Sequence, residues 1–103
     1  MRCRDKLSCQ NWYERELTEA GHRLESLRSC IQRLRLDLRP DWERRLDDLR
    51  GRHNRGAARL EALRRASAEG WVPAAERAEE AFLALREALV RVDEALSARP
   101  IAA

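Results

Sequence analysis

The sequence of 103 residues has few of the side chains that build β-sheets or membrane spans. Only 5% of its residues are aromatic, and the β-branched residues that strands prefer are scarce, so a sheet is not expected. Uncharged apolar runs such as Ala81 to Leu85 are far too short to cross a bilayer, and no apolar segment of a signal peptide follows the first ten residues. One soluble domain, residues 1–103, is predicted.

Cysteine and histidine are too few and too irregularly placed to indicate a redox or metal centre. The cysteines at 3, 9 and 30 are odd in number and form no Cys-x-x-Cys motif, so neither a disulfide framework nor a zinc site is expected. Glu19 and His22 form one Glu-x-x-His pair, whereas a dinuclear site in a helical bundle needs two, which only a homodimer would supply. We expect no catalytic residue, no cofactor and no metal ion, and a reduced protein of the cytoplasm.

The abundant residues are Ala, Leu, Glu and Arg, and charged residues make up 38% of the chain, a composition typical of long amphipathic helices or coiled coils. Apolar residues recur with alternating spacings of three and four along three tracks, which is the pattern of helices that pack side by side. The first track contains Leu17, Ala20, Leu24, Leu27, Ile31, Leu34 and Leu38. The second contains Trp42, Leu46, Leu49, His53, Gly56, Leu60 and Leu63. The third contains Trp71, Ala75, Ala78, Phe82, Leu85, Leu89, Val92 and Leu96.

Two interruptions separate the tracks and predict three helices, at about residues 6–38, 40–67 and 73–98. Pro40 falls in the first interruption, and proline disfavours helical geometry in the residue before it. Gly70 and Pro73 fall in the second, where they indicate a corner. We expect an all-α fold, an antiparallel helical hairpin or three-helix coiled-coil bundle with a kink or break at Pro40, and a frayed tail at residues 99–103. A bend at Pro40 is favoured over a reversal, because Leu-Arg-Pro leaves almost no loop.

Charge is unevenly distributed along the chain. Residues 1–65 carry 17 basic and 11 acidic side chains, a net +6, whereas residues 66–103 carry 4 and 7, a net −3. Arg52, Arg55 and Arg59 are spaced to share one helix face, so they are candidates for phosphate contacts, although no aromatic residue is interleaved for base stacking. Alternatively, glutamates in and just before the last helix neutralise these arginines when that helix folds back; the candidates are Glu69, Glu76, Glu79, Glu80 and Glu87.

The segment LRRASAEGWVPAAERAEEAFLALREAL, residues 63–89, resembles the C-terminal pattern of a family of small bacterial coiled-coil proteins described as stress-responsive. The matching positions are Leu63, Ala66, Ser67, Trp71, Ala81, Phe82, Leu85 and Ala88. Pro40 and Pro73 depart from the family's pattern, and arginines replace its lysines. The resemblance covers about the last 60 residues of the chain. It implies a helical, non-enzymatic protein, and it carries over no functional residue.

A monomer bent at Pro40 would leave the apolar seam of its first helix exposed, and a long exposed apolar stripe implies a partner. We therefore expect a non-enzymatic, self-associating helical protein with a structural or protein-interaction role, stress-related if the resemblance holds. Its partner would be a second copy, with a dimer favoured, or another helical protein. The intermolecular seam is predicted to contain Leu17, Leu24, Leu27, Ile31, Leu34 and Leu38. The intramolecular seam is predicted to contain Leu46, Leu49, Leu60, Leu63, Trp71, Phe82, Leu85 and Leu89. The alternative function is nucleic-acid binding through the basic face of residues 50–65.

Overall fold

The computed structural model describes residues 3–98 and contains three helices of 27 residues each. Helix α1 spans Lys6–Gln32, α2 spans Arg39–Arg65 and α3 spans Trp71–Ser97. The all-α class is confirmed, and no strand occurs within the described range. The first helix ends six residues before the predicted position, at Gln32, and the fraying expected for residues 99–103 lies outside the described residues.

The chain reverses its direction between α1 and α2. Lys6 at the start of α1 contacts Ala66 just after the end of α2, and Leu17 in α1 lies beside His53 in the middle of α2. The bend favoured at Pro40 is therefore wrong, and the break lies in residues 33–38, before the proline. Pro40 occupies the first turn of α2, where the missing amide of proline costs no helical hydrogen bond.

Arg39, the first residue of α2, holds the loop of residues 33–38 in place. Its guanidinium donates to the carbonyl oxygen of Gln32 at 2.5 Å and to that of Leu34 at 3.0 Å. These bonds satisfy carbonyl groups near the end of α1 that have no helical partner. Leu34 stays buried although it lies beyond the helix. The reversal is possible because residues 33–38, the last six of the predicted first helix, form a loop instead.

Helix α3 runs parallel to α1 and antiparallel to α2. Three pairs follow one another in the same order along α1 and α3; they are Tyr13 with Glu79, Glu16 with Arg86, and Arg23 with Asp93. Residues 66–70 form the turn between α2 and α3, where the amide of Gly70 donates to the hydroxyl of Ser67 at 3.1 Å. The corner predicted at Gly70 is confirmed.

Within residues 3–98, one hydrophobic core runs between the three helices. Helix α3 supplies many small residues to it; its core side chains are Ala74, Ala75, Ala78, Phe82, Leu85, Ala88 and Leu89. Opposite Phe82, α2 carries Gly56, where an added Cβ would lie 3.4 Å from two carbons of the Phe82 ring. The other partner of Phe82 is Tyr13, whose ring stacks on it with centroids 5.1 Å apart. Small residues on both helices therefore bring α2 and α3 close together.

Cys3 and Cys9 form a disulfide between the segment before α1 and the first turns of that helix. Their Cα atoms are 5.2 Å apart, Cys9 is fully buried, and Cys30 is a free, exposed thiol. The expectation of reduced cysteines is wrong for this pair. Because α1 begins only at Lys6, residues 3–5 fold back along the helix, and the spacing of Cys3 and Cys9 does not reveal that fold-back.

Candidate functional site

Most of the predicted intermolecular seam lies inside the monomer. The exposed fractions are 8% for Leu24, 5% for Leu27, 2% for Ile31 and 5% for Leu34. Leu17 is half-buried against the same core, whereas Leu38, at the end of the loop, is exposed. The expected exposure of this seam is wrong, because the chain reverses before Pro40 and lays α1 against both other helices. A dimer is no longer needed to bury it.

The predicted intramolecular seam lies in or against the same core. The seven buried members are Leu46, Leu49, Leu60, Leu63, Phe82, Leu85 and Leu89. Trp71, the eighth, is half-buried and packs against the core at the start of α3. These residues therefore position the helices, and the candidates for binding are the polar side chains that the packed helices leave outside.

Seven arginines line a groove between α2 and α3, which we name the arginine groove. They are Arg44, Arg45, Arg52, Arg55 and Arg59 of α2, and Arg77 and Arg91 of α3. The groove consists of two cavities of about 210 Å³ and about 600 Å³, which adjoin because Arg52 lines both. The predicted phosphate-contacting residues Arg52, Arg55 and Arg59 all line the smaller cavity.

The groove is open because the residues along α3 that form its base have short side chains. Ala81 and Ala84 line the smaller cavity, and Ala88 and Val92 line the larger one. Packed helices have axes about 8–10 Å apart, and residues this short leave space between the outer edges of two such helices. Long arginine side chains stand on both sides of that space, so the groove has an apolar base and cationic walls.

Three carboxylates also line the groove, and two of them are already paired. Arg44 pairs with Asp41, and Arg52 pairs with Asp48 at 3.0 Å. The third carboxylate, Glu80, has no ion pair within residues 3–98. Seven arginines against three carboxylates give the groove a net charge of +4.

Five of the groove arginines have no carboxylate partner in the part of the chain that the structure describes; they are Arg45, Arg55, Arg59, Arg77 and Arg91. The guanidinium of Arg45 lies over the ring of Trp42, 4.4 Å from its centroid. A guanidinium without a carboxylate keeps its five N–H donors for a ligand, in a planar fork that matches phosphate oxygens. The groove can therefore bind an anion without first breaking ion pairs of these five side chains.

Charged side chains of α3 lie on two different faces of the helix, one at the arginine groove and one towards α1. Two of its three arginines line the groove, whereas Arg86 pairs with Glu16 of α1 at 3.0 Å. On the side facing α1, Glu79 accepts a hydrogen bond from Tyr13, and Asp93 pairs with an arginine of α1. Among residues 3–98 no ion pair joins α2 to α3, so the expected neutralisation of α2 by the glutamates of α3 is not found.

Arg45, Arg77 and Arg91 belong to the groove although they are not among the predicted site residues. A signal for them exists in the sequence. Arg45 lies seven residues before Arg52, which lies seven before Arg59, and Arg77 and Arg91 are fourteen residues apart. Seven residues are close to two helical turns, so such spacing places arginines in a row along one side of each helix.

The two histidines are not among the residues that line the arginine groove. His22 is exposed on α1, and Nε2 of His53 lies 3.2 Å from the carbonyl oxygen of Leu17 between α1 and α2. Within residues 3–98, no three His, Cys, Asp or Glu side chains are grouped so that they could hold a metal ion. None of the three helices described there has both the length and the apolar character of a membrane span.

Comparison of the chain with protein-family models, curated proteins and solved structures finds no match. The resemblance to stress-responsive coiled-coil proteins therefore stays a prediction. The structure defines the class of protein as an all-α bundle of three helices with an arginine-lined groove between the second and third.

Proposed function

We propose that this three-helix bundle is a non-enzymatic binding protein that holds nucleic acid by its phosphates in the arginine groove. The observation that supports the proposal best is the presence of five arginines, on two facing helices, without a carboxylate partner among the described residues. Arg52 of the same groove, by contrast, is paired with Asp48. The two histidines, the usual acid–base groups near neutral pH, line neither cavity of the groove.

Arginine suits this role because guanidinium binds phosphate through charge-assisted hydrogen bonds, often two at a time. Each phosphate contact also releases counterions from nucleic acid, so the affinity falls as the salt concentration rises. If each of the five unpaired arginines meets one phosphate, the logarithm of the binding constant should fall against that of the salt concentration with a slope of about −4.5 on duplex DNA.

A titration of fluorescently labelled duplex DNA at several salt concentrations, followed by anisotropy, tests the proposal. The double variant Arg55→Ala/Arg59→Ala removes two unpaired arginines from the groove. We expect it to weaken binding at least about tenfold and to reduce the salt slope by about two.

The matched control is Arg28→Ala/Arg50→Ala, which removes the same charge from the cavity between α1 and α2. Both of these arginines are already paired, Arg28 with Glu25 and Arg50 with Asp47. The control should weaken binding less than about threefold. Equal losses for the two double variants, or no binding by the unmodified protein at low salt, would contradict the proposed site.

Self-association is a second candidate function, and two exposed apolar side chains on α3 support it. Leu83 and Val90 are 44% and 43% exposed, and they lie one heptad apart, hence on the same face of the helix. A structural or stress-related role would operate through such contacts between copies. Sedimentation velocity over a range of concentrations, with Leu83→Glu/Val90→Glu beside the unmodified protein, tests this candidate. A monomer at every concentration would exclude it.

The predicted cytoplasmic location stays a prediction. The disulfide between Cys3 and Cys9 is of a kind that is rare in cytosolic proteins and common in oxidising compartments. Cell fractionation, followed by alkylation of the free thiols in each fraction, would give both the location of the protein and the state of the cysteine pair.

A further inference from the structure

The five unpaired arginines fall into two groups at the two ends of the arginine groove. Arg55, Arg59 and Arg77 line the smaller cavity, and Arg45 and Arg91 line the larger one. Arg45 and Arg59 are fourteen residues apart on α2, as are Arg77 and Arg91 on α3. At 1.5 Å per residue, the outermost members of the two groups are about 21 Å apart along the helices, and Arg55 lies about 15 Å from Arg45.

This separation is set by the packing of the bundle, because both groups stand on helices that share the hydrophobic core. Over about 21 Å of its axis, a DNA duplex presents about twelve phosphates, and it stays straight because its persistence length is about 50 nm. A single strand is flexible, and it reaches both groups only after it has been ordered, which weakens binding. The two fixed groups of arginines therefore suit a stiff ligand.

The groove offers no surface on which an unpaired base could stack. None of the described side chains that line it is aromatic, and the ring beside Arg45, that of Trp42, is 9% exposed and covered by the guanidinium. Proteins that bind single strands combine a basic groove with aromatic rings on which successive bases stack. In a duplex the bases stack on one another and the phosphates face outwards, so no ring is needed.

We infer that the arginine groove takes double-stranded nucleic acid in preference to single strands, and that it holds the backbone without reading the base sequence. This inference rests on the proposed function and adds to it the form of the ligand. Sequence is read by side chains that reach the edges of bases in a duplex groove, whereas these guanidiniums flank a cleft between two helices and have the planar donor geometry that suits phosphate oxygens.

Three DNA probes distinguish the outcomes, each titrated at the same salt concentration. They are a labelled duplex of about 20 base pairs, one of its strands alone, and a second duplex of the same length with an unrelated sequence. We expect the two duplexes to bind with dissociation constants within about twofold of each other. The single strand should bind at least about fivefold more weakly than either duplex.

The double variant Arg77→Ala/Arg91→Ala removes one arginine from each group and should bring the affinity for the duplex down towards that for the single strand. The control Arg28→Ala/Arg50→Ala should keep the preference for duplex. Circular dichroism checks that the helix content of both variants is unchanged. Arg77→Gln/Arg91→Gln, which keeps longer side chains against the helices, replaces the alanine variant if that one loses helix.

A single strand that binds as tightly as the duplex, or more tightly, would overturn the inference and leave the proposed function standing. A difference of more than about tenfold between the two duplexes would overturn binding through the backbone alone. Binding of none of the probes at low salt would overturn both the inference and the proposed function.

Discussion

The side-chain ammonium of Lys6 donates a hydrogen bond to the carbonyl oxygen of Ala66 at 2.7 Å and a second one to that of Arg64 at 2.9 Å. Lys6, the only lysine of the chain, lies at the start of α1 and therefore caps the C-terminal end of α2. Carbonyl groups in the last turn of a helix have no helical partner and carry the negative end of the helix dipole. A cation placed there stabilises the helix end and also ties α1 to the turn before α3.

Replacing Lys6 by Ala is expected to lower the free energy of unfolding by about 1–2 kcal/mol, since two carbonyl groups lose a charged donor. Lys6→Arg keeps donors at this position and should lose less. Urea denaturation measures both effects. Arg65→Ala is the control, because this arginine is highly exposed, and its effect should stay within about 0.5 kcal/mol. An equal loss in the control would mean that the Lys6 contact contributes nothing of its own.

The carboxylate of Asp5 caps the start of α1 by accepting a hydrogen bond from the amide of Ser8 at 2.7 Å. This bond, with a further contribution from the Ser8 side chain, holds the pKa of Asp5 below its ordinary value of 3.8. A lowered pKa in the folded state stabilises the protein above the unfolded pKa, and the contribution is lost as the pH falls through the folded pKa.

Asp5→Asn keeps a capping oxygen but removes the titration. The stability that the unmodified protein has over this variant should therefore stay constant above about pH 5 and decrease as the pH falls below 3.8 through the lowered pKa. Urea denaturation at several pH values measures it. Parallel curves for the two proteins over the acidic range would show that the Asp5 cap does not depend on its charge.

Gly51 and Gly56 both lie inside α2, yet they are expected to respond differently to substitution. An added Cβ at Gly51 meets nothing within 4 Å, so Gly51→Ala should raise the free energy of unfolding by about 0.5–1 kcal/mol through reduced backbone freedom of the unfolded chain. At Gly56 the Cβ would already touch Phe82, so Gly56→Leu should destabilise the protein by about 1–3 kcal/mol through overpacking. Thermal unfolding followed by circular dichroism would show opposite shifts. A stabilising Gly56→Leu would mean that α2 and α3 lie further apart.

The disulfide between Cys3 and Cys9 closes a short ring, which restricts the unfolded chain. Opening it by reduction, or by Cys3→Ser, should lower the free energy of unfolding by about 2 kcal/mol. Cys30→Ser should leave the stability within about 0.5 kcal/mol of the unmodified protein, because Cys30 is exposed and unbonded. Intact mass after alkylation counts the free thiols directly. Three alkylated cysteines in the protein purified without reductant would contradict the disulfide.

Leu27→Asp/Ile31→Asp is expected to unfold the monomer, because both side chains are buried and a carboxylate there would have no partner. Circular dichroism should show a large loss of helix. Ser26→Asp/Ser29→Asp introduces the same charge at exposed positions of α1 and should retain the helix content. A helical, monomeric Leu27→Asp/Ile31→Asp protein would show that this seam faces solvent in the single chain.

The spacing of apolar residues was enough to predict three helices and most of the core. A helix that buries one face needs apolar residues three and four positions apart, whatever covers that face. Leu49 and Leu60 are accordingly buried where their track requires. The spacing cannot show whether the helix that packs on this face belongs to the same chain or to a second copy, because either one removes the face from water. For that reason the spacing predicts Leu27 and Ile31 as dimer contacts, whereas both lie in the core of the monomer.

The arginine groove, too, is predictable from the sequence only in part. Arg52, Arg55 and Arg59 are recognisable from sequence because positions along one helix determine a shared face. Arg77 joins them only because the chain reverses in residues 66–70 and lays α3 back along α2.

Which charged side chains form ion pairs also depends on the distances between helices. The spacing of residues along one helix does not give those distances. Arg77 and Arg86 stand on the same helix nine residues apart. Arg86 pairs with Glu16 of α1, whereas Arg77 lines a cavity together with arginines of α2. The order of residues places each charge on its helix, and the packing of the helices selects which charges are neutralised and which remain available to a ligand.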